Sequence, residues 1–307
     1  MKPETRNPKP ARYVGRFAPS PTGPLHFGSL VAAVGSWLDA RAAGGSWAVR
    51  IDDVDRGRAV TGADAVILRQ LEACGLTWDG PVVYQSARDE AYAAALARLQ
   101  AADRAYPCGC TRREIAAVAR RGPAGMIYPG TCRAGLPPGR EARSWRLLTR
   151  GLQPAFDDRR HGPQRVDLEA EVGDFVIRRA DGLFAYHLAM VVDDAELGVT
   201  DVVRGGDLLA ATAPQVALQA ALGLHTPRYL HLPVALAPDG HKLSKSVGSA
   251  ALDIERPGEA VTSALAFLGQ PPPPALAGAR PGELLAWAVG AWRPERLPAR
   301  NAIAPYA

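Results

Sequence analysis

The sequence predicts an α/β protein built on a parallel sheet, interrupted by a small metal-type insert and closed by a short helical segment. Three observations predict it. Strand, loop, helix and strand follow one another within the first fifty-odd residues, the order of a βαβ unit. Cys108, Cys110 and Cys132 fall within 25 residues rich in Gly, Pro and Arg, a change of texture from what precedes them. A helical pattern after Lys245 then runs to the proline tract at Pro271–Pro274.

Residues 1–11, rich in Pro and charge, read as a leader. Tyr13 to Ala18 is an apolar run suited to a buried strand, and Pro19-Ser20-Pro21-Thr22-Gly23-Pro24 turns the chain. From Gly28 to Ala43 apolar residues recur at Leu30, Val31, Val34, Trp37 and Leu38, a helical stripe ended by Gly44-Gly45. Trp47 to Ile51 is a second strand, running into Asp52-Asp53-Val54-Asp55, and Ala63 to Ala73 is a helix stopped at Gly75. An insertion is placed at 105–182. Phe175–Ile177 and Leu183–Val192 read as strand and helix, Thr200–Val203 as a strand ending at Arg204, Leu208–Leu222 as a helix and Tyr229–Ala235 as a strand. The divisions expected are therefore 12–104, 105–182, 183–248 and a helical 249–307.

Composition narrows the class. With 47% apolar and 22% charged residues, 307 residues are neither disordered nor collagen-like. A net charge of +5 suits a polyanionic partner without being histone-like. Lysine occurs only at Lys2, Lys9, Lys242 and Lys245, so 32 of the 36 basic residues are Arg. Four cysteines in this length do not make a secreted disulfide scaffold. No apolar leader is present, and the longest uncharged run, Leu208–Leu224, carries Pro214, Gln215 and Gln219, so a buried helix rather than a membrane span is expected. A cytoplasmic protein without a membrane is expected, and nothing calls for an obligate protein partner.

Three constellations carry chemistry. In Arg16–Ser29 a strand passes through a Pro/Gly turn into a helix whose start holds His26 and Gly28. Free N–H groups and the positive helix end favour an anion there, although a structural turn with a solvent-facing His is an equal reading. His241-Lys242-Leu243-Ser244-Lys245-Ser246 follows a Pro-Asp-Gly turn, and half of the chain's lysines stand in it where other surface positions use Arg. Two ammonium groups so spaced suit a polyphosphate. Cys108-Gly109-Cys110 with Cys132 supplies three thiolates for a tetrahedral metal, with Tyr128 a possible fourth ligand; reduced core cysteines are the alternative. Cys74, at a helix end, belongs to the core. Asp52, Arg204 and Tyr186 stand at strand ends or in apolar surroundings, where a parallel sheet lines its crevice.

His26-Phe27-Gly28-Ser29 resembles the HIGH motif of class I aminoacyl-tRNA synthetases, and Lys242–Ser246 resembles their KMSKS loop. Arg16–Leu25, Arg50-Ile51-Asp52-Asp53, Tyr84-Gln85-Ser86, Val202-Val203-Arg204-Gly205 and Ala237–Ser246 are similar to glutamyl-tRNA synthetases, over roughly residues 12–250. Only 61 residues follow Ser246, fewer than an anticodon-reading domain needs. A synthetase core with a CxC/YxxxC zinc insert and no such domain resembles the glutamyl-queuosine tRNA(Asp) synthetase family.

The resemblance implies a Rossmann-type sheet whose halves, 12–104 and 183–248, flank the zinc-containing insertion. It implies ATP-dependent activation of L-glutamate and its transfer to queuosine in the anticodon of tRNA(Asp). His26, Lys242 and Lys245 are implied as catalytic, His26, Gly28 and Lys245 as ATP-binding, and Arg16, Ser20, Asp52, Tyr186 and Arg204 as the glutamate pocket. Within it Asp52 is implied for the α-ammonium and Arg204 for the side-chain carboxylate. One structural Zn²⁺ on Cys108, Cys110, Tyr128 and Cys132 and Mg²⁺ accompanying ATP complete the set. Three departures stand out: Asp52 where relatives commonly carry Glu, Ser29 at the end of the HIGH motif, and Gly206 where an acidic residue often follows Arg-Gly. The competing readings are a truncated glutamyl-tRNA synthetase charging the tRNA 3′ end, a non-catalytic zinc- or tRNA-binding module, and a general nucleotidyltransferase.

Overall fold

An apolar strand, β1 (Val14–Phe17), opens the first βαβ unit of the computed structural model, which describes residues 12–123, 125–236 and 251–303. Helix α1 (Phe27–Ala42) begins at an N-cap on His26, three residues after the Pro/Gly turn ends in Gly23. Strand β2 (Ser46–Ile51), α2 (Ala63–Ala73), β3 (Val83–Tyr84) and α3 (Asp89–Ala101) follow. β1 and β3 pair in parallel on either side of β2. The α3 segment, Ala-rich with two acidic residues in its first turn, is a helix that the apolar pattern did not single out.

The chain then leaves this layer. Strand β4 (Ala105–Cys108), α4 (Arg112–Val118), the hairpin β5 (Arg120–Gly122) and β6 (Gly125–Ile127), then β7 (Ser144–Leu147) come next. The hairpin β8 (Ala155–Asp158) and β9 (Gly162–Arg165), the single turn α5 (Leu168–Glu171) and β10 (Val176–Arg178) follow. β4, β7 and β10 form an antiparallel sheet with β7 in the middle. The chain returns through α6 (Tyr186–Glu196), β11 (Asp201–Gly205), α7 (Leu209–Leu222), β12 (Arg228–Leu232) and β13 (Ala235–Leu236). After residue 251 come α8 (Pro257–Phe267), α9 (Pro281–Ala291) and β14 (Ala302–Ile303), which pairs with β13.

The parallel pair β11–β12 continues into β8 and, antiparallel, β9. Thr200 sews this sheet to β1: its N–H donates to the Val14 carbonyl at 2.9 Å, and its Oγ1 accepts from Val14 N–H at 2.9 Å. The result is an α/β fold on a parallel sheet, as the sequence predicts. The uncharged run Leu208–Leu224 is the α7 helix, and among the described residues no helix is long and apolar enough to cross a membrane. Helix α6 starts at Tyr186 rather than Leu183, because Phe184 still bridges back to Arg178.

One apolar cluster gathers Trp47, Leu30, Leu38 and Ile67 with Leu265 and Leu284, packing the C-terminal helices on α1; a second joins Tyr92, Leu188 and Leu218. Asp39, buried on α1, fixes the first arrangement. It accepts from Tyr13 Oη (2.5 Å), the Arg159 guanidinium (2.5 and 2.9 Å) and Trp292 Nε1 (2.9 Å), so it ties four chain segments. The arginine and the two other donors outweigh the cost of burial and hold its carboxyl below the usual range. Asp39→Ala leaves Arg159 facing a buried void and two donors unpaired. A loss on the order of 3 kcal/mol in denaturant unfolding is expected, and an unchanged midpoint would contradict this role.

Candidate active site and metal cluster

A cavity of about 510 Å³ opens where β1, β11 and β12 end beside the start of α1. Its lining includes Arg16, Ser20, His26, Gly28, Arg58 and Arg204. Strand ends supply Arg16 and Arg204; the turn and helix start supply Ser20, His26 and Gly28. His26 caps α1, its ring nitrogens lying 3.4 Å from Ser29 N and 3.1 Å from Ser29 Oγ. A Cβ on Gly28 would stand 3.1 Å from the imidazole Cε1, so the glycine lets the ring fold over the helix start. The first N–H groups of α1 and this imidazole form one donor surface suited to an oxyanion.

One backbone bond and one side-chain bridge hold the mouth of the cavity. Leu252 N–H donates to the Leu25 carbonyl (2.8 Å), and Gln70 on α2 accepts from Leu25 N–H (2.7 Å) while donating to the Leu252 carbonyl (3.2 Å). On the other side Ala235 lies against the Cβ position of Gly28 at 3.8 Å. Lys242 and Lys245, with the rest of residues 237–250, lie outside the described residues.

Behind the cavity is a dense ionic network. Arg50 is fully buried and donates to Asp52 (2.7 Å) and Asp194 (2.7 Å), with Asp193 at 3.8 Å. Arg16 Nε lies 3.2 Å from Asp194, and Arg88 Nε donates to Asp193 at 2.6 Å. Three guanidiniums thus meet three buried carboxylates, with Glu196 pairing on the outer side of Arg88. Burial lifts the Asp52 carboxyl to about 6 against the pull of Arg50; the same arginine, with Arg16, holds Asp194 low despite its burial.

Arg204 differs. It is 5% exposed, and no carboxylate pairs with it among the described residues. Its Nε donates to His231 Nε2 (3.1 Å) and one Nη to Thr212 Oγ1 (2.9 Å), while the other, Nη1, is buried with no hydrogen-bond partner. Burial pushes this guanidinium below its ordinary range, with Tyr186 opposing, yet an arginine stays charged. The cavity therefore contains a desolvated positive charge with a donor to spare, an arrangement that favours a carboxylate.

In the insert, the Cys108, Cys110 and Cys132 sulfurs lie within 4.8 Å of one another, and Cys110 and Cys132 are 3.6 Å apart. All three are free thiols. The Tyr128 hydroxyl is 3.4 Å from Cys108 Sγ and 3.5 Å from Cys110 Sγ, and accepts the Cys132 N–H. A tetrahedral ion with metal–sulfur bonds of about 2.3 Å and a metal–oxygen bond of about 2.0 Å puts sulfurs about 3.8 Å apart and the oxygen about 3.5 Å from each. The donor set fits. Gly173, at φ +74°, passes so close that a Cβ would lie 2.9 Å from the Tyr128 backbone, and Arg146 stacks 3.8 Å over the Tyr128 ring. Burial alone would raise the Cys108 thiol, but Tyr128 and Arg146 bring it down to about 7, toward the thiolate that a metal needs.

Of the residues predicted from sequence, Arg16, Ser20, His26, Gly28 and Arg204 line one cavity, and Cys108, Cys110, Tyr128 and Cys132 form one cluster. Asp52 sits behind the cavity, paired with Arg50. Tyr186 opens α6, edge-on to His187 at 5.5 Å. Cys74 caps α2 and is wholly buried. Reading the sequence missed Arg50, Asp193 and Asp194, and the groups that hold Arg204. The signal available was two consecutive aspartates ending an apolar helix and a histidine inside an apolar strand.

Parallel strands with a cavity at their carboxyl ends beside the start of the first helix make a nucleotide-binding α/β core, here of the class I aminoacyl-tRNA synthetase type. Residues 13–126 and 147–269 match the family of class I tRNA synthetases (E and Q), catalytic domain. Solved glutamate-tRNA synthetases share the fold. One from Elizabethkingia anophelis superposes with a TM-score of 0.79 at 26% identity, over 95% of this chain and 68% of that one. A glutamate tRNA ligase from Elizabethkingia meningosepticum, in complex with its amino acid, gives 0.78 at 26% identity over 96% and 67%. Among curated relatives, the glutamyl-Q tRNA(Asp) synthetase of Thiobacillus denitrificans is 54% identical over 295 residues, 96% of this chain and 98% of that protein. That of Aromatoleum aromaticum is 57% identical over 282 residues, 91% and 89%. The chain belongs to the glutamyl-Q tRNA(Asp) synthetase family and is a class I synthetase-type ligase.

The cysteine cluster yields a direct expectation. Co²⁺ added to metal-free protein should give one equivalent of a tetrahedral, thiolate-ligated spectrum, lost in Cys108→Ser/Cys110→Ser. A spectrum that survives the double substitution would place the metal elsewhere.

Proposed function

We propose that this enzyme activates L-glutamate with ATP as glutamyl-adenylate and transfers the glutamyl group to the queuosine base at the anticodon wobble position of tRNA(Asp). The observation that carries the amino-acid choice is Arg204: a buried guanidinium without a carboxylate partner, facing a cavity that it shares with the anion site of α1. An acidic side chain supplies the missing partner; a neutral amide would leave the charge uncompensated. The family relatives, matched over nearly their whole length, support the queuosine acceptor.

In this reading an oxygen of the glutamate α-carboxylate attacks the α-phosphorus of ATP, and the bond to the β-phosphate oxygen breaks to release pyrophosphate. His26 and the α1 N-terminus stabilise the charge that builds on the α-phosphate oxygens, with Gly28 giving the nucleotide room. Lys242 and Lys245 hold the leaving pyrophosphate. Arg204 and Tyr186 seat the side chain, and Arg16, Ser20 and Asp52 the amino-acid backbone, Asp52 sharing its charge between Arg50 and the α-ammonium. Mg²⁺ would accompany ATP on its phosphates and water. A structural Zn²⁺ on Cys108, Cys110, Tyr128 and Cys132 would stabilise the insert, because all four positions are filled by protein. ATP and tRNA as substrates place the enzyme in the cytoplasm.

Labelled glutamate with ATP should enter tRNA from cells that make queuosine and not tRNA from cells that lack it. Equal label in both pools would indicate charging of the 3′ end instead, and none in either would point to a non-catalytic module. Lys245→Ala should keep the fold and lose glutamate-dependent pyrophosphate exchange by at least about 100-fold; unchanged exchange would remove that residue from the mechanism.

A further inference from the structure

We propose that Asp158 and His231 are positioning residues for substrate recognition: together they hold His231 as the tautomer with its proton on Nδ1, so that Nε2 orients Arg204 toward the substrate carboxylate. The use made of Arg204 rests on the glutamate reading above; the tautomer does not.

Asp158 and His231 are 73 residues apart and meet because β8 lies beside β12, with Tyr229 in register with Asp158. Both are buried, His231 completely. The imidazole Nδ1 is 2.7 Å from Asp158 Oδ2, which also accepts the His231 backbone N–H at 3.1 Å. The other carboxylate oxygen accepts from the N–H groups of Arg160 (3.1 Å) and His161 (2.9 Å). Three backbone N–H groups hold Asp158 as an acceptor, so the ring nitrogen facing it, Nδ1, carries the proton and Nε2 is left with a lone pair. Arg204 Nε–H occupies that lone pair at 3.1 Å. The Thr212 hydroxyl, 3.2 Å from Nε2, can turn to either role, but an arginine can only donate, so the opposite tautomer would set the Nε2 proton against the Arg204 Nε–H in a buried site. The ring is further fixed by stacking with Tyr229, 6.2 Å away and 13° from parallel.

The interposed imidazole has an electrostatic consequence. A carboxylate in direct contact with Arg204 would cancel its charge, as Asp52 and Asp194 do for Arg50. A neutral ring between Asp158 and Arg204 orients the guanidinium while leaving its charge for the ligand. With Nε on His231 and Nη2 on Thr212 and the Leu208 carbonyl, Nη1 is the donor that remains. The same two residues therefore set the direction and preserve the charge of the group that distinguishes an acid from its amide.

Two measurements test this. Nitrogen-15 NMR of the substrate-free protein reads the tautomer directly: protonated Nδ1 and bare Nε2 are expected for His231. Asp158→Asn, whose amide can donate to the ring, is expected to move the proton to Nε2, as an Asp-to-Asn change does in the serine-protease triad. Pyrophosphate exchange then reads the consequence. In Asp158→Asn and His231→Leu, KM for glutamate should rise about 10- to 100-fold with KM for ATP unchanged, and preference for glutamate over glutamine should fall by a similar factor. His231→Gln, whose carbonyl can still accept from Arg204, should recover most of the loss. A proton on Nε2 in the unsubstituted protein overturns the proposal, as do folded variants in which glutamate and ATP constants rise together. If His231→Leu fails to fold, the near-isosteric Asp158→Asn decides. Correct tautomers in a protein that exchanges pyrophosphate with a different amino acid would refute the glutamate reading and leave the tautomer assignment standing.

Discussion

The guanidinium of Arg50, with no exposed surface, is the constraint on which the rest of this molecule depends. Such a charge is tolerated only when carboxylates surround it, and here they come from two distant stretches of the chain: Asp52 just past the strand that carries Arg50, and Asp193 and Asp194 from the far end of α6. Helix α6 is thereby fixed to the end of β2 behind the cavity. Arg88 and Arg16 close the network, and removing any one member strands another in a medium that cannot hydrate it.

Against that paired network the isolation of Arg204 acquires meaning. The chain has carboxylates close by and uses them on Arg50 and Arg16; it gives Arg204 a histidine and a threonine. Similar residues thus stand in opposite electrostatic settings a short distance apart, one charge cancelled by carboxylates and the other left uncompensated. The metal-type cluster is separate from both. Its geometry is maintained by the β4–β7–β10 sheet, by the close pass of Gly173 and by the stacked Arg146.

How much was legible in the sequence follows from the range of each interaction. The start of α1 was readable because His26, Gly28 and Ser29 make their contacts within three residues. The cysteine cluster was readable because CxC spacing already brings two sulfurs together. Asp52 was named as an acid at a strand end, without its burial, and its partner Arg50 was not named as a site residue, since an arginine inside an apolar strand looks like a surface position until the sheet closes over it. Asp158 and His231 were invisible for a related reason: β8 is a polar hairpin with no apolar alternation, and only pairing with β12 brings its last residue against the histidine. Tyr186 and Arg204 could be named but not joined, because the first turn of α6 and the end of β11 approach only in three dimensions.

The ties at the cavity mouth have an entropic meaning. Leu25, in the turn that leads into α1, is held at both of its backbone groups, its carbonyl by Leu252 N–H and its own N–H by the Gln70 side-chain oxygen. Gln70 also donates to the Leu252 carbonyl, so the turn, α2 and the segment ahead of α8 close into one hydrogen-bonded ring. The entropy of ordering the entrance to the helix has thus been spent in folding, and a ligand that arrives there meets a surface already in place rather than one it must organise.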